Sequence, residues 1–138
     1  MAGYSATPLW KKLGYKAGAG AYVVGAPANY HATLDLPVEI TVKWLGRARR
    51  GMSFVHVFSK DAASLRTALS SFRRQVAPDA VVWVSWPKKS SGVETDLTED
   101  TIRQIALPLG FVDIKVCAID ETWSGLKLMI RKSEREDD

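Results

Sequence analysis

The sequence predicts an α/β fold: a single mostly parallel, twisted sheet flanked by helices and closed by a C-terminal antiparallel hairpin. Three observations carry that expectation. Residues 80–86 (AVVWVSW) are apolar on both faces, as a strand covered from both sides must be. Two segments of helical period alternate with such strands, one placing Leu65, Leu69, Phe72 and Val76 on a single stripe, the other Ile102, Ile105, Ala106 and Leu109. Two runs of period two, residues 112–119 and 126–131, then follow one another across the bend 120–125, as the arms of an antiparallel pair do.

In chain order, residues 8–13 can hold a short helix, with Thr7 as its cap and Pro8 at its first position. Residues 21–24 read as a short buried strand stopped by Gly25-Ala26-Pro27, and residues 40–45 as a second strand stopped by Gly46, with a helix-poor connection between them. Residues 53–58 (SFVHVF) form a third strand, after which Asp61 is placed to cap the helix carrying Leu65 to Val76. That helix should end before Ala77-Pro78-Asp79, and the central strand then runs over residues 80–86. Beyond the loop Lys88-Lys89-Ser90-Ser91-Gly92, either Thr98 or Asp96 can cap the next helix, which Pro108 and Gly110 close. No internal repeat and no Pro-, Gly- or Ser-rich linker divides the chain. One domain over residues 1–132 is expected, followed by a charged tail, 133–138, without hydrophobic period and expected to fray.

Composition narrows the classes. With 46% hydrophobic and 25% charged residues in 138, the chain suits a globular core and neither a disordered nor a disulfide-stapled protein. No apolar run approaches the roughly 18 to 20 residues of a membrane span, and the first residues lack a charged segment leading into an apolar one, so a cytoplasmic protein is expected. Cys117 is the single cysteine, and His31 and His56 are the only histidines, a set with no metal-site spacing. The net charge of +4 hides an asymmetry, +9 over residues 1–90 against −5 over residues 91–138. The first two-thirds should meet anionic partners more readily than the rest.

Open α/β sheets bind ligands beyond the carboxyl ends of their strands, so the residues following each strand are the candidates. They are His31 after the first, Lys60 after the third, Lys88, Lys89, Ser90 and Ser91 after the fourth, and Asp120, Glu121 and Trp123 after the fifth. Lys88 and Lys89 with two serines suit a phosphate or a carboxylate, by charge and by directed hydroxyl and turn N–H donors; a solvated basic loop is the alternative. Asp120 and Glu121 beside Trp123 suit an acid–base pair against an apolar wall, or else a turn in which Asp120 caps backbone donors and Trp123 fills a gap. His31 is a candidate base or a surface histidine, His56 reads as a packed residue, and Cys117 as an inert buried thiol. Ser85 and Ser124 sit in no nucleophile elbow. Arg47, Arg49, Arg50, Lys43, Lys11, Lys12 and Lys16, interleaved with Trp10, Tyr15, Tyr22 and Trp44, admit a nucleic-acid surface, or simply a solvated face over ordinary core.

Two resemblances bear on these residues. The segments Tyr4-Ser5, Thr7-Pro8-Leu9, residues 86–92 (WPKKSSG), residues 95–99 (TDLTE) and residues 116–127 (VCAIDETWSGLK) resemble an uncharacterised bacterial family of short proteins, a domain of unknown function, which implies no activity. Residues 77–84 (APDAVVWV) resemble the turn into a late sheet strand of class I S-adenosylmethionine-dependent methyltransferases, and the closing helix, strand and hairpin resemble theirs, over roughly residues 14–132. That resemblance implies a reduced, Rossmann-like methyltransferase fold with a glycine-rich cofactor loop after the first strand and an acidic residue after the second. Here the loop is Gly25-Ala26-Pro27-Ala28-Asn29-Tyr30 and the second strand leads into Arg47. On that ground the sequence predicts no cofactor, with S-adenosylmethionine and NAD both disfavoured.

The function expected from sequence is a non-catalytic binding or regulatory module, taking an anionic small molecule or a partner's acidic segment. A methyltransferase with a non-standard cofactor loop and a nucleic-acid binder are the alternatives. The sequence does not fix the oligomeric state.

Overall fold

The computed structural model describes residues 7–135; Tyr4 and Ser5 of the family resemblance, and Glu136, Asp137 and Asp138 of the tail, lie outside them. The elements follow as α1 (Leu9–Leu13), β1 (Gly20–Val24), α2 (Tyr30–Leu34), β2 (Lys43–Trp44), β3 (Met52–Phe58), α3 (Ala62–Gln75), β4 (Val76–Pro87), α4 (Glu99–Ala106), β5 (Phe111–Ala118) and β6 (Trp123–Ile130), with single 3-10 turns at Lys89–Ser91, Leu107–Leu109 and Lys132–Glu134. The strands form one sheet in the order β2-β1-β3-β4-β6-β5, parallel from β2 to β4, with β6 inserted antiparallel between β4 and β5. This is the expected mixed α/β sheet with its closing hairpin.

Alternation along the strands sends side chains into two cores. Val55 and Val57 of β3 and Val82, Val84 and Trp86 of β4 face α3 and α4, where they meet Leu65, Leu69, Phe72, Ile102 and Ile105. Phe54 and Phe58 of β3 and Trp83 of β4 face the other way, against Leu9, Leu13, Tyr15, Tyr30 and Leu34 around α1 and α2. Trp83 also donates its indole N–H to the carbonyl of Leu13 at 2.8 Å, satisfying one of the acceptors that the end of α1 leaves open.

The caps follow the sequence closely. Asp61 accepts from the Ser64 amide and Thr98 from the Thr101 amide. Asp96 does not cap α4: its carboxylate accepts the Ala62 amide at 2.8 Å, so the loop after β4 helps to start α3. The α1 helix begins one residue later than expected, with Pro8 at the cap position.

Two expectations near the N-terminus are corrected. The connection after β1 contains a helix, α2, and the strand expected over residues 40–45 shrinks to Lys43–Trp44. Val42 is buried and Ile40 packs against the α1/α2 core, so these two are spent on packing rather than on the ladder. Further along, β4 begins at Val76, but Ala77 to Ala80 form an irregular stretch before the regular ladder from Val81, which is where the Pro78 turn was expected. The ladder between β5 and β6 is also irregular between Asp113 and Lys115. In the tail, the Lys132–Glu134 turn is held by Glu134, which pairs with Arg73 at 3.4 Å and Arg131 at 2.7 Å. Among the described residues no helix is long and apolar enough to cross a membrane.

Candidate functional site

The carboxyl ends of the parallel strands carry two hollows, one on the face of α1 and α2 and the other on the face of α3 and α4. The first, of about 370 Å³, lies beside β1 and β2 and is lined by Val23, Ala26, Pro27, Tyr30, His31, Trp44 and Leu45 among others. Its walls depend on α2: Tyr30 turns inward and is buried, leaving the next residue, His31, exposed with its ring edge-on to Trp44 at 4.7 Å. Trp44 is 41% exposed, an unusual position for an indole on a two-residue edge strand. Gly25 lets the chain leave β1 at φ +74°, with a Cβ at that point falling 2.9 Å from the Phe58 carbonyl oxygen. The close approach that requires glycine is therefore to the end of β3. Arg47 and Arg49 border an adjoining hollow of about 470 Å³ that shares Leu45.

The second hollow, of about 380 Å³, is lined by Trp86, Pro87, Lys88, Lys89, Thr95, Leu97, Thr98, Glu99 and Ser124. Its floor is fastened by hydrogen bonds: Lys88 donates its amide to the Thr122 carbonyl at 2.7 Å, and the Thr95 hydroxyl donates to the Lys60 carbonyl at 2.6 Å. Ser91 donates to the Lys88 carbonyl at 2.6 Å and accepts the Val93 amide, closing the turn that carries Lys89 and Ser90 outward. With strands roughly 4.8 Å apart, β1 and β4 stand about 10 Å from one another, with the end of β3 between them.

The structure therefore brings Lys88 and Lys89 together at the second hollow and places His31 at the first. Lys60 is exposed at the end of β3, its carbonyl occupied by the Thr95 and Asp96 contacts. Asp120 accepts the amides of Thr122 and Trp123, both at 2.8 Å, and Glu121 is exposed beside it. Trp123 is buried with its ring edge-on to Phe58 at 5.0 Å. Neither Asp120, Glu121 nor Trp123 lines either hollow. Cys117 is half-buried on β5, its thiol pushed up chiefly by burial. Of the aromatics interleaved with the basic residues, Trp44 is exposed, Trp10 and Tyr22 are half-buried and Tyr15 is buried.

Beneath the first hollow runs a polar chain that the sequence reading did not assemble. The Tyr15 hydroxyl bonds that of Tyr30 at 2.6 Å, Tyr30 meets Nδ1 of His56 at 2.7 Å, and His56 Nε2 meets the Ser85 hydroxyl at 2.7 Å. His56 and Ser85 are fully buried. Burial holds the imidazole pKa down to about 3, so the ring is neutral, with one nitrogen donating and the other accepting. Burial likewise drives the phenols of Tyr15 and Tyr30 well above their ordinary range. The available signal was the pair of polar residues standing alone in the apolar runs SFVHVF and VVWVSW of strands that prove adjacent.

No family model matches the chain, and no curated protein matches it in sequence, so the resemblance to a short bacterial family gains no support. Solved structures do match its fold. A SAM-dependent methyltransferase from Aquifex aeolicus superposes with a TM-score of 0.63 at 15% identity, over 87% of this chain and 86% of that one. A TehB-like SAM-dependent methyltransferase from Corynebacterium glutamicum gives 0.57 at 9% identity, over 88% and 85%. The N-methyltransferase NodS from Bradyrhizobium japonicum, solved with S-adenosyl-L-homocysteine, gives 0.54 at 13% identity, over 83% and 79%. At these identities the likeness is one of fold, and it supports the methyltransferase-like architecture expected from residues 77–84 and the closing hairpin. It also overturns the expectation of no cofactor. The fold is shared with SAM-dependent proteins, one of them holding S-adenosyl-L-homocysteine, so an unusual loop after β1 is no ground for setting that ligand aside.

Proposed function

We propose that the chain is an S-adenosylmethionine-dependent methyltransferase with a rebuilt cofactor loop, the adenosyl ligand in the hollow beside β1 and β2 and an anionic acceptor in the hollow of Lys88 and Lys89. The observation that carries this reading is the first hollow, at the carboxyl end of β1 in a sheet that shares its fold with such enzymes. It puts the methyltransferase ahead of the non-catalytic module expected from sequence.

The residues present fit an adenosyl ligand in part. Trp44, His31 and Leu45 offer an aromatic and apolar wall to a base. The loop is less accommodating, since Pro27 has no N–H to donate, and no carboxylate lines the hollow to accept from ribose hydroxyls. S-adenosylmethionine supplies a sulfonium methyl group when bound. The chain's own part is to stack the base, exclude water with Tyr30 and Leu45, and hold an anionic acceptor at the carboxyl end of β4. Lys88 and Lys89 provide the charge for that acceptor, with Ser90 and Ser91 next in the chain.

Isothermal titration of the protein with S-adenosylmethionine and S-adenosylhomocysteine tests the reading. Saturable heat is expected, weakened by Trp44→Ala; absence of heat at millimolar ligand removes the methyltransferase.

A further inference from the structure

We infer that the side of the β5/β6 hairpin turned away from α3 and α4, where Lys12, Lys16, Lys115 and Lys127 gather, is a docking surface for the phosphate backbone of a duplex nucleic acid. The inference stands apart from the methyltransferase reading and goes beyond it.

Strand register puts the cations together. Lys127 of β6 is paired with Lys115 of β5 on one side and with Trp83 of β4 on the other, so the three side chains stand in a row on one face, with about 4.8 Å between strands. Trp83 identifies that face as the one of α1, because its indole holds the Leu13 carbonyl at the end of that helix. Lys12 and Lys16 lie on either side of Leu13 in the chain, and their charges are felt on the strands. Burial first, then Lys115 and Lys16, pushes the Lys127 ammonium down from its usual range. Burial pushes the Cys117 thiol up, and Lys12 and Lys115 oppose that rise. Like charges directly opposite one another across a ladder destabilise it, so this pair is not there for the sheet.

The side is open and its charge is unanswered. The α1/α2 core takes in the hairpin at its turn end, with Ile119 and Trp123, and α4 packs on β5 from the opposite face. Lys16 and Lys115 are exposed, and Lys12 and Lys127 half-buried. None of the four forms an ion pair among the described residues. The nearby acids are engaged elsewhere: Glu99, Asp100 and Asp113 on Arg103, and Glu134 on Arg73 and Arg131. Asp79 shares a small hollow with Lys16 without pairing to it, and offsets at most one charge of the four.

Cations this close ask for a ligand whose charge repeats closely. An extended acidic peptide turns a carboxylate to one side only every second residue, about 7 Å apart, whereas a duplex carries one phosphate per roughly 1.7 Å of its axis. Lysine meets such a backbone as a point charge, without a demand on direction. Trp83 and Trp123 beneath the patch are buried, so the strands offer no open indole on which an unpaired base could stack, which favours a duplex over a single strand.

Fluorescence anisotropy with a labelled random-sequence DNA duplex, over a range of salt, tests the inference. Four neutralised phosphates give a slope of log K against log salt of about −3.6, and Lys115→Gln with Lys127→Gln should reduce its magnitude by about 1.8 and weaken binding at low salt at least about tenfold. Lys12→Gln with Lys16→Gln, off the ladder, should do the same. Removing Lys115 and Lys127 also ends a like-charge pair, so the urea midpoint should hold or rise, which separates lost binding from lost folding. No binding at the lowest salt overturns the inference, as does a slope that survives both lysine pairs or that Arg47→Gln with Arg49→Gln abolishes instead. Polyglutamate, or a single strand of equal length, bound as tightly as the duplex overturns it too. Titration with S-adenosylhomocysteine is read separately: duplex binding without heat from that ligand leaves the inference standing and removes the methyltransferase, and the reverse result does the opposite.

Discussion

The two faces of the sheet are built on opposite terms. Toward α3 and α4 the strands present only apolar side chains, Val55, Val57, Val82, Val84 and Trp86, to helices of 14 and 8 residues whose polar work is done at exposed caps. Toward α1 and α2 the helices have five residues each, too short to be stable without tertiary contacts. That face buries four polar side chains in one line, Tyr15, Tyr30, His56 and Ser85. The first face can be held by area alone. The second holds its short helices by direction, since a hydrogen bond fixes where Tyr30 points and hence where His31 and the first hollow stand.

Breaking the polar line should expose the difference most strongly. His56→Leu strands the Ser85 hydroxyl and leaves that of Tyr30 with its Tyr15 bond, and about 2 kcal/mol of stability should be lost in urea unfolding. The quadruple variant Tyr15→Phe, Tyr30→Phe, His56→Leu, Ser85→Ala, which removes the whole line, should recover at least about 1 kcal/mol of that loss. A quadruple variant less stable than the single one would show that this face, too, is held by packing alone.

Acid should attack the same face. The His56 imidazole titrates near 6.5 in the unfolded chain and near 3 in the folded one, so between those values the unfolded state binds the extra proton. Stability is full above pH 6.5 and falls by about 1.4 kcal/mol for each unit below it, until pH 3. In His56→Asn that slope should be gone, leaving only the shallower contribution of carboxylates such as Asp113, which Arg103 holds below its ordinary range. Unfolding midpoints measured from pH 7 to pH 4 decide it, an unchanged slope in the variant being the adverse result.

The smallest effect belongs to the apolar face. Asp96→Ala should cost about 1 kcal/mol by removing the acceptor for the Ala62 amide, the ordinary loss of an exposed helix cap. It should leave the pH slope untouched. A change in that slope would mean that the two faces are coupled through β3.

The contrast also explains what could be read from the sequence. The elements of the apolar face, β3, α3, β4 and α4, have periodic stripes long enough to register, and Asp61 and Thr98 mark their starts. The α2 helix escapes because residues 30–34 supply little more than one turn, with Pro27 before it and Pro37 after it. Residues 40–45 look like a strand because Ile40 and Val42 alternate with polar neighbours, but that alternation serves burial beneath α2. Of the candidate site, the rule that ligands gather at carboxyl ends reached Lys88, Lys89 and His31. It did not reach the pairing of His31 with Trp44, which exists only because a short helix and a short strand meet in space. Gly125 shows the same limit: a Cβ there would sit 3.0 Å from Ile119 and 3.3 Å from Trp83, the second a packing demand made from far away in the sequence.

The irregular pairing at Asp113–Lys115 bears on how this molecule behaves among many copies of itself. The β5 edge exposes Ile114 and Val116, which on a regular strand would invite another chain to add to the sheet. The break in register bends the donors and acceptors out of line, and Lys115 between the two apolar residues would have to surrender its hydration on any such addition. At the opposite margin β2 offers only two residues. Each open border of the sheet thus carries a feature that hinders the addition of another strand, a bulge with Lys115 on one side and a two-residue strand on the other.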